Sequence, residues 1–161
     1  MVDQTGILEI LKTIPWFLDL NKRQLEMLAS ISSIIDVKAG QTVFNEGDQL
    51  EHMYIILEGE VAVDIAVPTR GHARVGVAEP LDIIGWSKLT PVVRQRVGTT
   101  TALKDSRLLL IQGDELLNLC DQDRQVGYVV FKRLANVVAS NMLMTKLQLL
   151  DRILRESHEL A

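Results

Sequence analysis

Cysteine is almost missing from this sequence, and long apolar runs are missing altogether. The 161 residues include one cysteine, Cys120, which excludes a disulfide within the chain. Because Cys120 lies in an apolar stretch and no histidine is paired with it, we expect a buried, unreactive thiol. No apolar run is long enough for a membrane span or for the core of a secretory signal. These absences predict a cytoplasmic protein that does not bind a membrane.

The sequence also lacks an excess of positive charge. It has 17 Lys and Arg against 21 Asp and Glu, a formal net charge of −4, whereas proteins that hold nucleic acid present a basic face. The three histidines, His52, His72 and His158, are scattered along the chain, unlike the clustered ligands of a metal site. No nucleophile is paired with a base. We therefore expect no enzyme, no metal site and no cofactor.

The composition, 47% hydrophobic over 161 residues, permits one sizeable core, and we predict a single domain over residues 1–161. Residues 7–14 carry apolar side chains at helical spacing, and Pro15 ends that helix. Asn21 is expected to cap the N-terminus of a second helix. The chain therefore begins with helices.

From residue 34 the pattern changes to short runs rich in Val, Ile and Tyr, separated by glycines. Residues 53–57 and 60–65 are predicted to form two strands on either side of a turn at Gly59. Further strands are expected over residues 73–77, 99–103 and 107–111. Short strands with regular turn signals indicate a closed or double-layered antiparallel β structure.

After Gly113 the pattern is helical again. Residues 124–159 contain no proline, which predicts one long helix. Leucines recur in it at heptad spacing, at Leu143, Leu147, Leu150 and Leu154. The simplest partner for this apolar stripe is the same helix of a second copy, in a parallel homodimer. The alternative is a helix packed wholly on its own domain.

Residues 85–102 combine a glycine, two arginines and a run of threonines. Glycine permits close approach of a backbone, an arginine offers a planar fork of donors that matches phosphate oxygens, and helical N–H groups add partial positive charge. This combination is the chemistry that an anion needs.

Four segments together resemble the cyclic nucleotide-binding domain of the catabolite activator protein family and of the cyclic-AMP-dependent kinase regulatory subunit. They are residues 37–48, residues 54–61, residues 85–102 and the helix from Arg124. The resemblance implies a regulatory protein of signal transduction with an α+β, mainly β fold. That fold is an antiparallel β roll (a double-stranded β-helix, or jelly roll) over residues 36–112, with N-terminal helices over 1–35 and C-terminal helices over 113–161.

By the resemblance, the loop after Gly85 binds the cyclic phosphate, and a glutamate directly after that glycine accepts from the ribose 2′-hydroxyl. Here the glutamate position holds Trp86, which cannot accept a hydrogen bond. The lost bond should cost roughly 1.5 to 3 kcal/mol, about ten- to a hundred-fold in affinity. Trp86 could instead stack against a ligand ring or plug the pocket.

The phosphate-binding arginine of the family aligns with Arg96, and Arg94 is the alternative if the loop is one residue longer. We favour phosphate contact for Arg96 and a solvated surface position for Arg94. Val97 stands where the bacterial family often has a serine, and Ser87 and Thr99 are the candidates to supply the missing hydroxyl. Ser87 could equally satisfy the backbone of its own helix.

The base of the nucleotide would be reached from the long helix, where Asn141 aligns with the family's base-binding threonine. Asn can donate and accept, so it could read a purine edge. The alternative is an Asn that fixes the register of a coiled coil. The sequence ends at Ala161, before the family's helix-turn-helix domain would begin, so we expect no direct DNA binding by this chain.

Two functions follow from these residues. The first is a non-enzymatic ligand sensor that binds cyclic AMP, cyclic GMP or a similar small anion and signals through the long helix. The second is a degenerate module that no longer binds a cyclic nucleotide and serves as a dimerisation or protein-docking unit. A collapsed pocket with Trp86 turned inward would favour the second.

Overall fold

The computed structural model describes residues 3–49 and 51–159, so the predicted domain limits at residues 1 and 161 lie outside the described residues. Within these described residues, four α-helices and eight strands follow one another. The helices are α1 (Gln4–Thr13), α2 (Lys22–Ser30), α3 (Gly113–Gln122) and α4 (Arg124–Glu159). The strands are β1 (Ser32–Val37), β2 (Thr42–Phe44), β3 (His52–Glu58), β4 (Val61–Val67), β5 (Gly71–Ala78), β6 (Ile83–Ile84), β7 (Thr99–Ala102) and β8 (Ser106–Gln112).

Both N-terminal helices begin with a side-chain cap, of which the sequence predicted the one at Asn21. The Asp3 carboxylate accepts from the Gly6 N–H at 2.9 Å at the start of α1. Asn21 and Gln24 form a reciprocal capping box at the start of α2, which satisfies two backbone donors that a helix leaves unpaired. A 3₁₀ helix over Pro15–Phe17 joins the two helices.

The strands form two antiparallel four-stranded sheets, in the orders β1-β8-β3-β6 and β2-β7-β4-β5. β3 and β4 are neighbours in sequence but lie in different sheets, and Gly59 makes the crossing with a φ of +93°. A Cβ on Gly59 would lie 2.2 Å from the Ser106 Oγ, so the turn requires glycine. The predicted fold class, a mainly β antiparallel roll with helices at both ends, is confirmed.

Alternation along the strands divides the apolar side chains between two cores. Tyr54, Ile56 and Leu108 point into the space between the sheets. Ile55 and Leu109 point the other way and pack with the helices, because successive side chains of a strand face opposite sides. Cys120 is buried in the helical core, and burial raises the pKa of its thiol to about 11, as expected for an unreactive cysteine.

The long helix is confirmed, and only its first part packs on the rest of the domain. Its buried side chains end at Leu134. The heptad leucines, Leu143, Leu147, Leu150 and Leu154, are each at least 50% exposed, so the alternative of a helix packed wholly on its own domain is wrong. Among the described residues no helix is both long and apolar enough to cross a membrane.

Candidate functional site

Gly85 begins the site, because its backbone bends where the loop leaves β6. Its φ of 74° lies in the left-handed region, which costs a residue with a Cβ roughly 1–2 kcal/mol. A short 3₁₀ helix, Trp86–Leu89, follows directly. A Cβ on Gly85 would lie 2.7 Å from the Arg96 Nη1 and 2.9 Å from the His52 carbonyl oxygen. Glycine is therefore required here to let the arginine approach.

Arg96 is a buried cation held by neutral groups. Its side chain is 4% exposed, Nη1 donates to the Gly85 carbonyl at 3.0 Å, and Nη2 donates to the His52 carbonyl at 2.6 Å. The guanidinium carbon lies 4.2 Å from the centroid of the Phe44 ring, within cation–π range. Burial lowers the pKa of Arg96, but a guanidinium stays charged in proteins.

The backbone of Arg96 is fixed as well. Its N–H donates to the Asp48 carbonyl at 2.9 Å, and its carbonyl accepts from the Gly47 N–H at 2.8 Å. Because backbone and side chain are both anchored, the guanidinium is held in place before any ligand arrives. Such preorganisation removes an ordering cost from binding.

A cavity of about 800 Å³ lies between the β roll and α4, and Arg96 is on its wall. This volume is in the range of small-molecule sites, roughly 300–1,000 Å³. Six of the eight residues that the sequence predicts for ligand binding line it: Gly85, Trp86, Ser87, Arg96, Val97 and Asn141. The cavity is not collapsed, although Trp86 forms part of its wall.

Two predicted residues, Arg94 and Thr99, are not brought to the cavity. Arg94 is exposed and is not among the lining residues, which agrees with the surface position that we favour for it. The Thr99 hydroxyl accepts a hydrogen bond from the Glu46 N–H at 2.9 Å. Thr99 therefore connects its strand to the loop at Glu46. Its hydroxyl does not line the cavity, where it was expected to replace the serine that the family often has at the position of Val97.

Thr100, the next residue of β7, lines the cavity, whereas Thr99 does not. Thr100 is 1% exposed, and its Oγ1 has no hydrogen-bond partner among the described residues. Alternation along β7 predicts that one of the two threonines faces inward. The sequence alone does not tell which of the two threonines faces inward, because it does not show which side of the strand lies against the core.

The α4 side of the cavity is a single helical face. Arg133, Val137, Asn141 and Met144 recur on it at spacings of three and four residues. Asn141 lies two residues before Leu143, outside the heptad leucine stripe, and its position on the cavity wall favours the base-binding alternative over the coiled-coil one. Met142 is exposed and is not among the lining residues.

Both tryptophans of the chain line the cavity. Trp86 is half-buried and packs against the helical core, and Trp16 comes from the 3₁₀ helix between α1 and α2. The Arg133 Nη2 reaches the Pro15 carbonyl at 3.5 Å, which brings α4 close to that 3₁₀ helix. The cavity thus touches the roll, α4 and the N-terminal helices.

No group of three or more His, Cys, Asp or Glu in residues 3–49 and 51–159 could hold a metal ion. The His52 side chain does not line the cavity. Its ring packs edge-on against Tyr54 at 6.3 Å between centroids, and its carbonyl serves Arg96. The site therefore offers hydrogen bonds, positive charge and apolar surface.

Comparison with known proteins agrees with this architecture. A family model described as cyclic nucleotide-binding domain matches residues 34–123. A cyclic nucleotide-binding domain from Methylobacillus flagellatus has a TM-score of 0.77 and 22% identity, covering 92% of this chain and 83% of that one. The catabolite activator protein of Thermus thermophilus has a TM-score of 0.68 and 20% identity, covering 85% and 63%.

A third solved structure is the regulatory subunit of a cAMP-independent protein kinase A from Trypanosoma brucei, in a mutant form bound to cAMP. Its TM-score is 0.73 at 20% identity, covering 91% of this chain and 51% of that one. At these identities the three structures show that the fold is shared.

Proposed function

The chain belongs to the cyclic nucleotide-binding domain family, and from this we propose that it is a non-enzymatic regulatory domain with a ligand site between the β roll and α4. The ligand is a cyclic nucleotide or another small anion of similar size. The observation that carries the proposal is the anchored guanidinium of Arg96 on the wall of a cavity of about 800 Å³. A buried cation without an acidic partner attracts a ligand that brings the negative charge.

Helix α4 is the element that would transmit a conformational change from the ligand site to a partner. Arg133, Asn141 and Met144 on α4 line the cavity, and the same helix continues to Glu159 with its apolar side chains exposed. A ligand that contacts both the roll and α4 would favour one angle of the helix over others. The far end of α4 would carry that change to a partner.

The partner of α4 is, in this proposal, a second copy of the chain, joined through residues 124–159. The exposed leucine stripe of α4 supports a helix pair across a two-fold axis. No contact with DNA or a membrane is part of the proposal.

Calorimetry with cyclic AMP and cyclic GMP, together with thermal unfolding, tests the site. A ligand at about a hundred times its dissociation constant should raise the free energy of unfolding by about 2.7 kcal/mol. The Arg96→Ala variant should lose this ligand-dependent shift. Arg94→Ala is the matched control, because Arg94 is exposed and outside the cavity, and it should keep the shift.

Arg96→Lys separates binding from folding, since it keeps the charge but not the planar fork that serves the Gly85 and His52 carbonyls. It should fold and bind more weakly than the wild type. An unchanged ligand-dependent shift in a folded Arg96→Ala protein would contradict the proposed site.

The second candidate is the degenerate module, in which α4 works as a dimerisation or docking surface and no cyclic nucleotide binds. Trp86 at the ribose position favours it, and so do the exposed leucines. The Trypanosoma brucei structure belongs to the regulatory subunit of a cAMP-independent protein kinase A, which supports a role for this fold that does not depend on cyclic AMP. Absence of binding of every small anion tested up to millimolar concentration, cyclic AMP and cyclic GMP included, with an intact dimer, would select this candidate.

A further inference from the structure

The wall of the cavity has an apolar part and a polar part. Its apolar part includes both tryptophans, with Val137 and Met144 of α4. Aromatic and aliphatic surface of this kind binds an apolar ring system. A ligand made mainly of polar hydroxyl groups would leave this surface without a matching partner.

The polar part of the wall has buried donors. The two terminal nitrogens of Arg96 each use one N–H on a carbonyl, and each carries a second N–H. The Thr100 Oγ1 is buried and has no partner in the described part of the chain, and such a group in a native structure calls for an explanation. An anionic head in the cavity would give both residues a partner.

The described part of the wall has no buried carboxylate to accept from a sugar hydroxyl. Trp86 follows Gly85, and among the described lining residues Asp82 is the only acid. Asp82 is exposed, and its Oδ2 accepts from the Glu79 N–H at 2.9 Å within a turn. A ribose hydroxyl placed near Trp86 would lose its bonds to water without gaining a carboxylate.

We infer that the cavity selects an amphipathic aromatic anion that carries no sugar hydroxyl: a flat apolar body against the tryptophans, with one phosphate or carboxylate at Arg96 and Thr100. The inference rests on the proposed function in that it uses the same cavity. It adds that the natural ligand of this chain is not a ribonucleotide.

The test compares probes that differ in one feature each, by calorimetry on the full chain. The probes are 1-naphthyl phosphate, 1-naphthol, inorganic phosphate, cyclic AMP and 2′-deoxy cyclic AMP. For the wild type we expect 1-naphthyl phosphate to bind at least about ten-fold more tightly than cyclic AMP. Cyclic AMP and its 2′-deoxy form should differ by less than about two-fold, because no buried carboxylate among the described lining residues accepts from the 2′-hydroxyl.

Trp86→Glu should reverse the preference. The new carboxylate can accept from a ribose hydroxyl, so cyclic AMP should gain about ten-fold over its 2′-deoxy form, and 1-naphthyl phosphate should weaken. Trp86→Phe, the control, keeps an aromatic ring and should keep the wild-type order of probes.

The outcomes separate the two proposals. A wild-type chain that binds cyclic AMP about ten-fold more tightly than 2′-deoxy cyclic AMP overturns the inference and leaves the proposed function standing. Equal binding of 1-naphthol and 1-naphthyl phosphate also overturns the inference, because the anion would then contribute nothing. If no probe binds the wild type at millimolar concentration, both proposals fail. These measurements need only the wild-type protein, so poor folding of a variant does not affect them.

Discussion

The central residue, Arg96, has a buried charge with no acidic partner within ion-pair distance among the described residues. Its hydrogen-bond acceptors are two backbone carbonyls, and its third contact is the face of Phe44. Desolvation is the largest influence on its pKa and lowers it, while the more distant Asp48 and Glu51 act in the opposite direction. The dipoles of backbone carbonyls compensate a buried charge incompletely. An anion that binds beside Arg96 should therefore also raise the free energy of unfolding.

Gly85→Ala tests how closely the arginine depends on its neighbour, and Gly40→Ala is the matched control. Both glycines have positive φ, of 74° and 84°, so both variants should lose roughly 1–2 kcal/mol from backbone strain. Only at Gly85 does the new Cβ meet the Arg96 guanidinium and the His52 carbonyl; at Gly40 nothing lies within 4 Å.

We therefore expect Gly85→Ala to lose at least about 1 kcal/mol more than Gly40→Ala in urea unfolding, since a buried hydrogen bond is displaced. Gly85→Ala should also lose ligand binding, while Gly40→Ala should keep it. Equal losses of stability in the two variants would show that the contact with Arg96 does not matter.

Single residues were predictable where a local rule applied. The Asn21 cap followed from its place before an apolar helix, whereas Arg96 was proposed from its alignment with the phosphate-binding arginine of the family. Thr100 was missed because strand alternation fixes two faces but not which face is inward. The Phe44 ring and the His52 carbonyl lie 52 and 44 residues from Arg96 in the chain, and no local pattern of the sequence marks contacts at that distance.

At the scale of elements, α2 is tied to the start of α4 by one side-chain contact. The Gln24 Nε2 donates to both carboxylate oxygens of Asp123, at 3.1 and 3.0 Å. Asp123 in turn accepts from the N–H groups of Gln125 and Val126 at the first turn of α4, as an N-terminal cap does. Helix α4 is thus anchored to the N-terminal helices at its base.

This anchor predicts a pH dependence. The hydrogen bond from Gln24, then the bonds from the backbone N–H groups of Val126 and Gln125, lower the pKa of Asp123 in the folded state. A lowered folded pKa stabilises the protein above the unfolded value, about 3.9, and the stabilisation is lost as the pH falls through the folded value.

Asp123→Asn should therefore lower the free energy of unfolding at pH 7 and flatten its fall between neutral and acid pH. Asp121→Asn, at an exposed carboxylate two residues earlier, should leave both unchanged. Urea unfolding at a series of pH values measures the effect. Parallel pH curves for the wild type and Asp123→Asn would contradict it.

The elements themselves were largely predictable, because their patterns are local. The two N-terminal helices, most of the strands and α4 follow from periodicity, glycine turns and caps. The contact between Gln24 and Asp123 spans 99 residues, and the placement of β3 and β4 in different sheets depends on pairing with β8 and β7. Such pairings are decided by the packing of the whole chain.

At the scale of the whole molecule, α4 leaves the domain with its apolar surface exposed. Buried positions end at Leu134, and the part of the helix beyond Val138 is roughly 30 Å long at 1.5 Å per residue. An unsupported helix of this length is marginal in water. The sequence predicted the helix but not the point where it leaves the domain, because that point depends on where the roll and the N-terminal helices end.

A second copy of the chain would cover the leucine stripe of α4. We predict that the protein is a dimer and that one charged residue introduced into the stripe dissociates it. Leu150→Glu should make the chain monomeric at concentrations where the wild type is dimeric. Leu150 is 54% exposed in the single chain, and fully burying a leucine is worth roughly 1.5–3 kcal/mol. Because both chains of a two-fold pair carry the substitution, the dimer loses two buried leucines and gains two glutamates of like charge close together.

Leu18→Glu is the matched control, because Leu18 is the same residue type, is 68% exposed and lies outside α4. It should leave the dimer intact. Sedimentation equilibrium over a range of concentrations distinguishes the two, and thermal unfolding shows whether the Leu150→Glu monomer still folds. A wild-type chain that is monomeric throughout would contradict the prediction. Equal dissociation of both variants would show that the leucine stripe is not the interface.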